Sequence, residues 1–94
     1  MKPEDLIWLP DIVDKLIEKH QVEPEEIEEV FAEHHRVFRG PKGHYPGEDI
    51  YYALGQTEAG RYLFIVFIRK KDGRGLILSA RDMTTKERRR FGRK

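Results

Sequence analysis

The chain has no cysteine. A secreted domain of this size usually needs disulfides to support its small core, so a reducing, cytoplasmic setting is expected. It also lacks a long apolar run. The longest, residues 62–68, is far too short to cross a bilayer, so no membrane partner is expected. No apolar segment follows the positive charge within residues 1–5, and no secretory signal is read there. Serine occurs once, at Ser79, without the flanking glycines of a nucleophile elbow, which argues against serine hydrolysis. Gly40, Gly43 and Gly47 do not stand between a strand and a helix, so they make no phosphate-cradling loop. The histidines, His20, His34, His35 and His44, include no pair spaced i, i+4. Neither a metal site nor a cofactor is expected.

What is present fits a small folded domain. The 94 residues allow one domain spanning 1–94. A chain of this length buries roughly 60–65% of its unfolded surface, so its core is thin. Charged residues make up 37% and apolar residues 38%, yet ten aromatics argue against disorder. The formal net charge of +1 conceals a strong asymmetry. Residues 1–35 hold eleven acidic and three basic side chains, whereas residues 36–94 hold six acidic and fifteen basic ones. A basic half of this kind suits phosphate, although mutual neutralisation of the two halves, or simple solvation, would give the same count.

Apolar residues at Ile12, Val13, Leu16 and Ile17 recur at helical spacing after Pro10, predicting a helix over 10–20. A second helix is predicted over 24–34, with Ile27, Val30 and Phe31 on one stripe and glutamates opposite. Residues 34–48 read as a Gly/Pro loop, with room for a short strand at Val37 and Phe38. Three strands follow, over 49–56, 61–69 and 74–81. Asp72-Gly73 marks a hairpin turn between the last two. Thr84 and Glu87 have the spacing of a capping box, which starts a short basic C-terminal helix. The expected class is α+β: two N-terminal helices packed on a three- to four-stranded antiparallel sheet.

Turn lengths assign the sheet faces. A two-residue Asp-Gly turn pairs Lys71 with Arg74 and hence Phe64 with Arg81. A four-residue loop pairs Gln56 with Arg61 and hence Leu54 with Leu63. Ile50, Tyr52, Leu54, Leu63, Ile65, Phe67, Leu76, Leu78 and Ala80 then face the two helices. The other face carries Asp49, Tyr51, Ala53, Tyr62, Phe64, Val66, Ile68, Ile77, Ser79 and Arg81. Tyrosines flanking an arginine can stack bases and hold a phosphate, so Tyr51, Tyr62 and Ser79 are candidate RNA contacts. The alternative is a second core face closed by the C-terminal helix or a partner, since Phe64, Val66 and Ile68 are too apolar to lie bare.

RNA can be cleaved without a metal when its own 2′-hydroxyl attacks the adjacent phosphate. That route needs a base, an acid and cations for the charged transition state. Arginines, a few carboxylates and His44 could furnish these groups.

The ordered pattern along the chain is more specific than any single motif. Trp8 and Pro10 resemble a Trp-Asp-Pro opening, and Lys19-His20-Gln21-Val22 resembles Lys-His-Gly-Val, followed by Glu26, Val30 and Phe31. Gly55, Gly60-Arg61 and Leu63 resemble a strand–turn–strand segment. Leu78-Ser79-Ala80-Arg81 with Thr84, Glu87, Arg88 and Phe91 resembles an Ile-Ser-Ala-Arg closing pattern. Together these resemble the BrnT family of toxins, relatives of RelE-type ribonucleases, over residues 8 to 91. The resemblance implies a RelE-like fold and a bacterial cytoplasmic ribonuclease toxin. It also implies a ribbon-helix-helix antitoxin, whose complex with the toxin binds operator DNA. On it, Arg81 is expected to hold the scissile phosphate. Arg61 and Arg88 would be supporting cations, or else structural partners of Glu58 and Glu87. Leu9 stands where the family usually has Asp, Gln21 where it has Gly, Ile12 and Leu16 where Lys and Asn are common, and Ile50 where Arg is frequent. Two other functions stay open: a catalytically weak relative acting as antitoxin-binding corepressor, and a small binding domain unrelated to toxins.

Overall fold

In a computed structural model of the chain, which describes residues 3, 5–41 and 48–92, the elements run β1 (Leu6–Ile7), α1 (Pro10–His20), α2 (Pro24–Ala32), β2 (His35–Arg39), β3 (Asp49–Gln56), β4 (Tyr62–Arg69), β5 (Gly75–Asp82) and α3 (Thr85–Gly92). The fold is α+β, as the periodicities predict. The sheet has five strands in the order β1-β5-β4-β3-β2, and it is mixed rather than wholly antiparallel. The extra strand is β1, which pairs in parallel with β5 through Leu6 and Ile7. Two residues are too few to show alternation in a sequence. The segment at Val37 and Phe38 extends to His35–Arg39 and forms the opposite edge, beside β3.

The apolar stripes of α1 and α2 cover one face of the sheet. Leu16, Ile27, Val30 and Phe31 pack with Ala53, Leu63, Ile65, Phe67, Ile77 and Ala80 in one core cluster. Gly55 lets α2 approach closely, since a Cβ there would lie 2.6 Å from Val30 Cγ1. Both hairpin loops are one residue different from the turns predicted. Each has three residues, closed by Thr57 with Arg61 and by Lys70 with Arg74, and each ends on a glycine at positive φ, Gly60 at 92° and Gly73 at 90°. This is a turn followed by a left-handed residue, the usual three-residue hairpin.

The consequences for the faces are specific. Leu54 pairs with Phe64, not Leu63, so every β3 side chain is reversed from its expected side. Tyr51 stacks on Phe67 among the helix-facing residues, with ring centroids 5.8 Å apart. Ile50, Tyr52 and Leu54 face the other way. Ile77 joins the helix-covered core and Leu76 leaves it. On β5, however, a bulge at Leu78 shifts the register back by one, so Val66 pairs with Ser79 and Phe64 with Arg81. Two single-residue offsets cancel, and Arg81 lies on the face opposite α1 and α2.

The charge asymmetry of the sequence thus becomes a separation in space. Acidic helices cover one side of the sheet, and basic α3 lies against the other.

A candidate nucleic-acid interface on the far side of the sheet

β5 ends at Asp82, and Met83 and Thr84 lead into α3. Thr84 Oγ1 accepts the Glu87 backbone N–H at 3.2 Å, while Glu87 accepts the Thr84 backbone N–H at 2.9 Å. The capping box read from the sequence is therefore formed, and it turns Glu87 toward the end of β5. There Glu87 receives Arg81 Nη1 at 2.8 Å and Nη2 at 2.9 Å. Nη1 also donates to the Asp82 carbonyl at 3.1 Å. The guanidinium lies 4.3 Å from the centre of the Phe64 ring. Its end is held by Glu87, but its lateral Nε–Nη2 edge donates to no other partner among the described residues, and the side chain is 39% exposed. A second anion can approach that edge. The pairing with Glu87 holds the Arg81 pKa above its ordinary value.

Around this fork lie aromatic rings, several with a cation over their faces. Arg88 sits 4.2 Å over the Tyr62 ring, and Arg90 sits 3.6 Å over the Phe38 ring. Phe91 meets Tyr62 edge-on at 6.1 Å. Tyr52 lies 5.1 Å from Phe64. Arg36 donates to the Arg90 carbonyl at 2.8 Å, tying β2 to α3. Arginine planes over aromatic rings, with phosphate-pairing cations beside them, are a recurrent composition of RNA-binding surfaces. Among the described residues no group of three His, Asp or Glu side chains converges as a metal site.

The sequence-predicted residues divide. Arg81, Arg88, Tyr62 and Ser79 share this side of the protein. Tyr51 does not, because the β3 register turns it toward the helices. Arg61 does not either. Two residues before Leu63 on the helix-facing parity, it donates to the carbonyls of His20 at 2.8 Å and Gln21 at 2.6 Å. It also pairs with Asp82 at 2.7 Å and Glu26 at 3.3 Å. Its partners are thus Asp82 and Glu26 rather than Glu58. A cation on the last carbonyls of α1 complements the helix dipole and fastens α1 and α2 to the sheet. His44 lies outside the described residues.

Phe38, Arg36 and Arg90 were not singled out by sequence reasoning. Phe38 could have been found from the alternation of β2, once that strand was taken to run the full length from His35 to Arg39.

A family model described as the ribonuclease toxin BrnT of type II toxin–antitoxin systems matches residues 8–87. The chain belongs to that family. It is therefore a toxin of a type II toxin–antitoxin system, with an antitoxin as its partner. No curated protein matches the chain. The BrnT match runs from Trp8, just after β1, into the first turn of α3. It includes Ser79, Arg81 and Glu87 but stops before Arg88 and Arg90.

Proposed function

We propose that the chain is an endoribonuclease with a RelE-like active surface that acts in the cytoplasm and arrests translation. Catalysis needs no metal. The 2′-oxygen of one nucleotide attacks the adjacent phosphorus, the bond from phosphorus to the 5′-oxygen breaks, and a proton passes from the 2′-hydroxyl to a base while an acid protonates the leaving oxygen. Arg81 holds the phosphate through its lateral Nε–Nη2 edge and stabilises the charge that builds there. A planar fork suits this role better than a point cation because it donates two aligned hydrogen bonds. Arg88 adds positive charge, and Tyr62 and Ser79 contact the strand. His44 is the proposed proton-transfer group. A ribbon-helix-helix antitoxin neutralises the toxin, and their complex represses its own operon by binding operator DNA.

The observation that carries this reading is the half-exposed Arg81 fork on the basic, aromatic side of a BrnT-family chain. The test is induction of the chain alone in bacteria, beside incubation of purified protein with single-stranded RNA in a chelator. The parent should slow growth and cut RNA. Arg81→Ala should lower cleavage roughly 10²–10³-fold, the usual cost of losing one charge-stabilising donor. Circular dichroism must show that the variant is folded, since Arg81 also pins α3. A folded Arg81→Ala protein as active as the parent removes Arg81 from the mechanism.

A second reading, an antitoxin-binding corepressor with weak catalysis, draws on two observations. Glu87 neutralises Arg81, and Ile50 on the same face stands where the family often has Arg. A parent that binds its antitoxin, leaves RNA intact and does not slow growth would favour that reading.

A further inference from the structure

Helix α3 is lightly attached. It has eight residues and none is buried, and its sole large apolar side chain is Phe91. An isolated helix of this length is not stable in water, so the contacts beneath it must hold it. Those contacts are unusual. Beside the Glu87–Arg81 pair, the Arg36 bond to the Arg90 carbonyl and the Phe91 ring against Tyr62 and His34, two are guanidinium groups laid on rings: Arg88 on Tyr62 at 4.2 Å and Arg90 on Phe38 at 3.6 Å. Beneath and beside α3, the cross-strand rings Phe38, Tyr52 and Phe64 continue the same surface, with Tyr52 and Phe64 at 5.1 Å. A guanidinium plane on an aromatic ring occupies the place that a nucleobase takes when single-stranded RNA stacks on a sheet.

We infer that the rings under α3 are a stacking platform for unpaired RNA and that α3 is its removable cover. Bases displace Arg88 and Arg90 from Tyr62 and Phe38, and the freed arginines turn to the phosphates of the same strand. The exchange keeps the rings covered in both states and replaces arginine–ring contacts with base–ring contacts. The inference rests on the ribonuclease reading and narrows its substrate to single strands. Duplex RNA presents no free base faces and would not be retained on the platform.

The test uses the full chain and a fluorescent 12-nucleotide 2′-O-methyl uridine strand, which lacks the attacking hydroxyl and stays intact. Phe38→Leu and Tyr62→Leu should each weaken binding about tenfold, a typical cost of one lost base–aromatic stack. The salt dependence should keep the parental slope, because no cation is removed. Binding of a 12-base-pair RNA duplex should not change. A second arm locks the cover. Because the chain has no native cysteine, His34→Cys with Phe91→Cys is a candidate cross-link between α3 and the residue before β2, where the two rings lie 5.7 Å apart. The oxidised form should bind the strand at least tenfold more weakly than the same protein after reduction.

Folded leucine variants that bind like the parent overturn the platform. So does an oxidised protein that binds like the reduced one. If the disulfide does not form, the leucine variants decide alone. Leucine variants that lose antitoxin but keep the RNA strand would assign the rings to the antitoxin and overturn the inference. A parent that still cuts RNA while the leucine variants bind it unchanged leaves the ribonuclease reading standing. A parent that neither binds nor cuts RNA removes both.

Discussion

The Glu87 carboxylate holds both terminal nitrogens of Arg81, at 2.8 and 2.9 Å, while capping α3 through the Thr84 backbone N–H at 2.9 Å. One side chain therefore starts the helix and aims the arginine. Hydrogen bonding from Arg81 is the main cause that keeps the Glu87 carboxyl below its ordinary range, against the opposing effect of burial. A carboxylate whose folded pKa is depressed stabilises the fold above its unfolded pKa and loses that contribution as pH falls through the folded value. Glu87→Gln should therefore be less stable than the parent at pH 7, and the gap should close as pH drops below about 4. Urea denaturation at pH 7, 5 and 3 checks this. A gap independent of pH would mean that the ionised carboxylate adds nothing to the pairing.

Arg61 is expected to be structural. Removing it leaves the carbonyls of His20 and Gln21, and the carboxylates of Asp82 and Glu26, without their shared cation. Arg61→Ala should cost about 2–3 kcal/mol, the scale of a lost charge-assisted bond to part-buried partners. Lysine should restore little, because a single ammonium cannot span acceptors arranged for a fork. Thermal melting measures the loss. RNA cleavage per folded molecule should stay at the parental level for Arg61→Lys, and a large drop would return Arg61 to the active surface.

Two positions, Leu16 and Ile50, should tolerate a polar replacement very unequally. Leu16 is 2% exposed in the core, so Leu16→Asn loses apolar burial and strands an amide, at a cost of about 3–5 kcal/mol. Ile50 is half-buried on the Arg81 side, opposite Ile68. Ile50→Arg should cost less than about 1.5 kcal/mol, because a long arginine stem can cover the apolar surface while its head reaches water. It should also strengthen RNA binding. Denaturation and RNA titration of each variant separate these outcomes.

Two other positions fall at the ends of α1. Leu9 is its N-cap, is 43% exposed and supplies no side-chain cap. Gln21 is its C-cap, held in the left-handed region at φ 54°. Leu9→Asp should add about 1 kcal/mol by capping free N–H groups. Gln21→Gly should add about 0.5–1 kcal/mol by removing left-handed strain, partly offset by the lost side-chain bond to the Glu18 carbonyl at 3.1 Å. Both gains should appear as higher melting temperatures with RNA cleavage unchanged. A destabilised Gln21→Gly would show that the side-chain bond outweighs the strain.

By itself, the sequence determined the elements whose signals are local. Pro10 and the stripe from Ile12 to Ile17 define α1, and β3 spans 49–56 as read, between the Gly/Pro loop and the turn that starts at Thr57. Thr84 and Glu87 meet because a capping box is closed by neighbours along the chain. The family pattern likewise pointed to Arg81. Tertiary structure decided what depends on counting across a turn. A three-residue loop in place of a four-residue one moved Tyr51 into the core side and brought Tyr52 to the open side, because side chains alternate every residue and one step reverses them all. Arg81 kept its predicted side only because the Leu78 bulge undid the extra residue in the Lys71–Gly73 loop. Arg61 shows the same limit from another direction. Its role is set by helix-end carbonyls forty residues away in sequence, and no local pattern carries that contact.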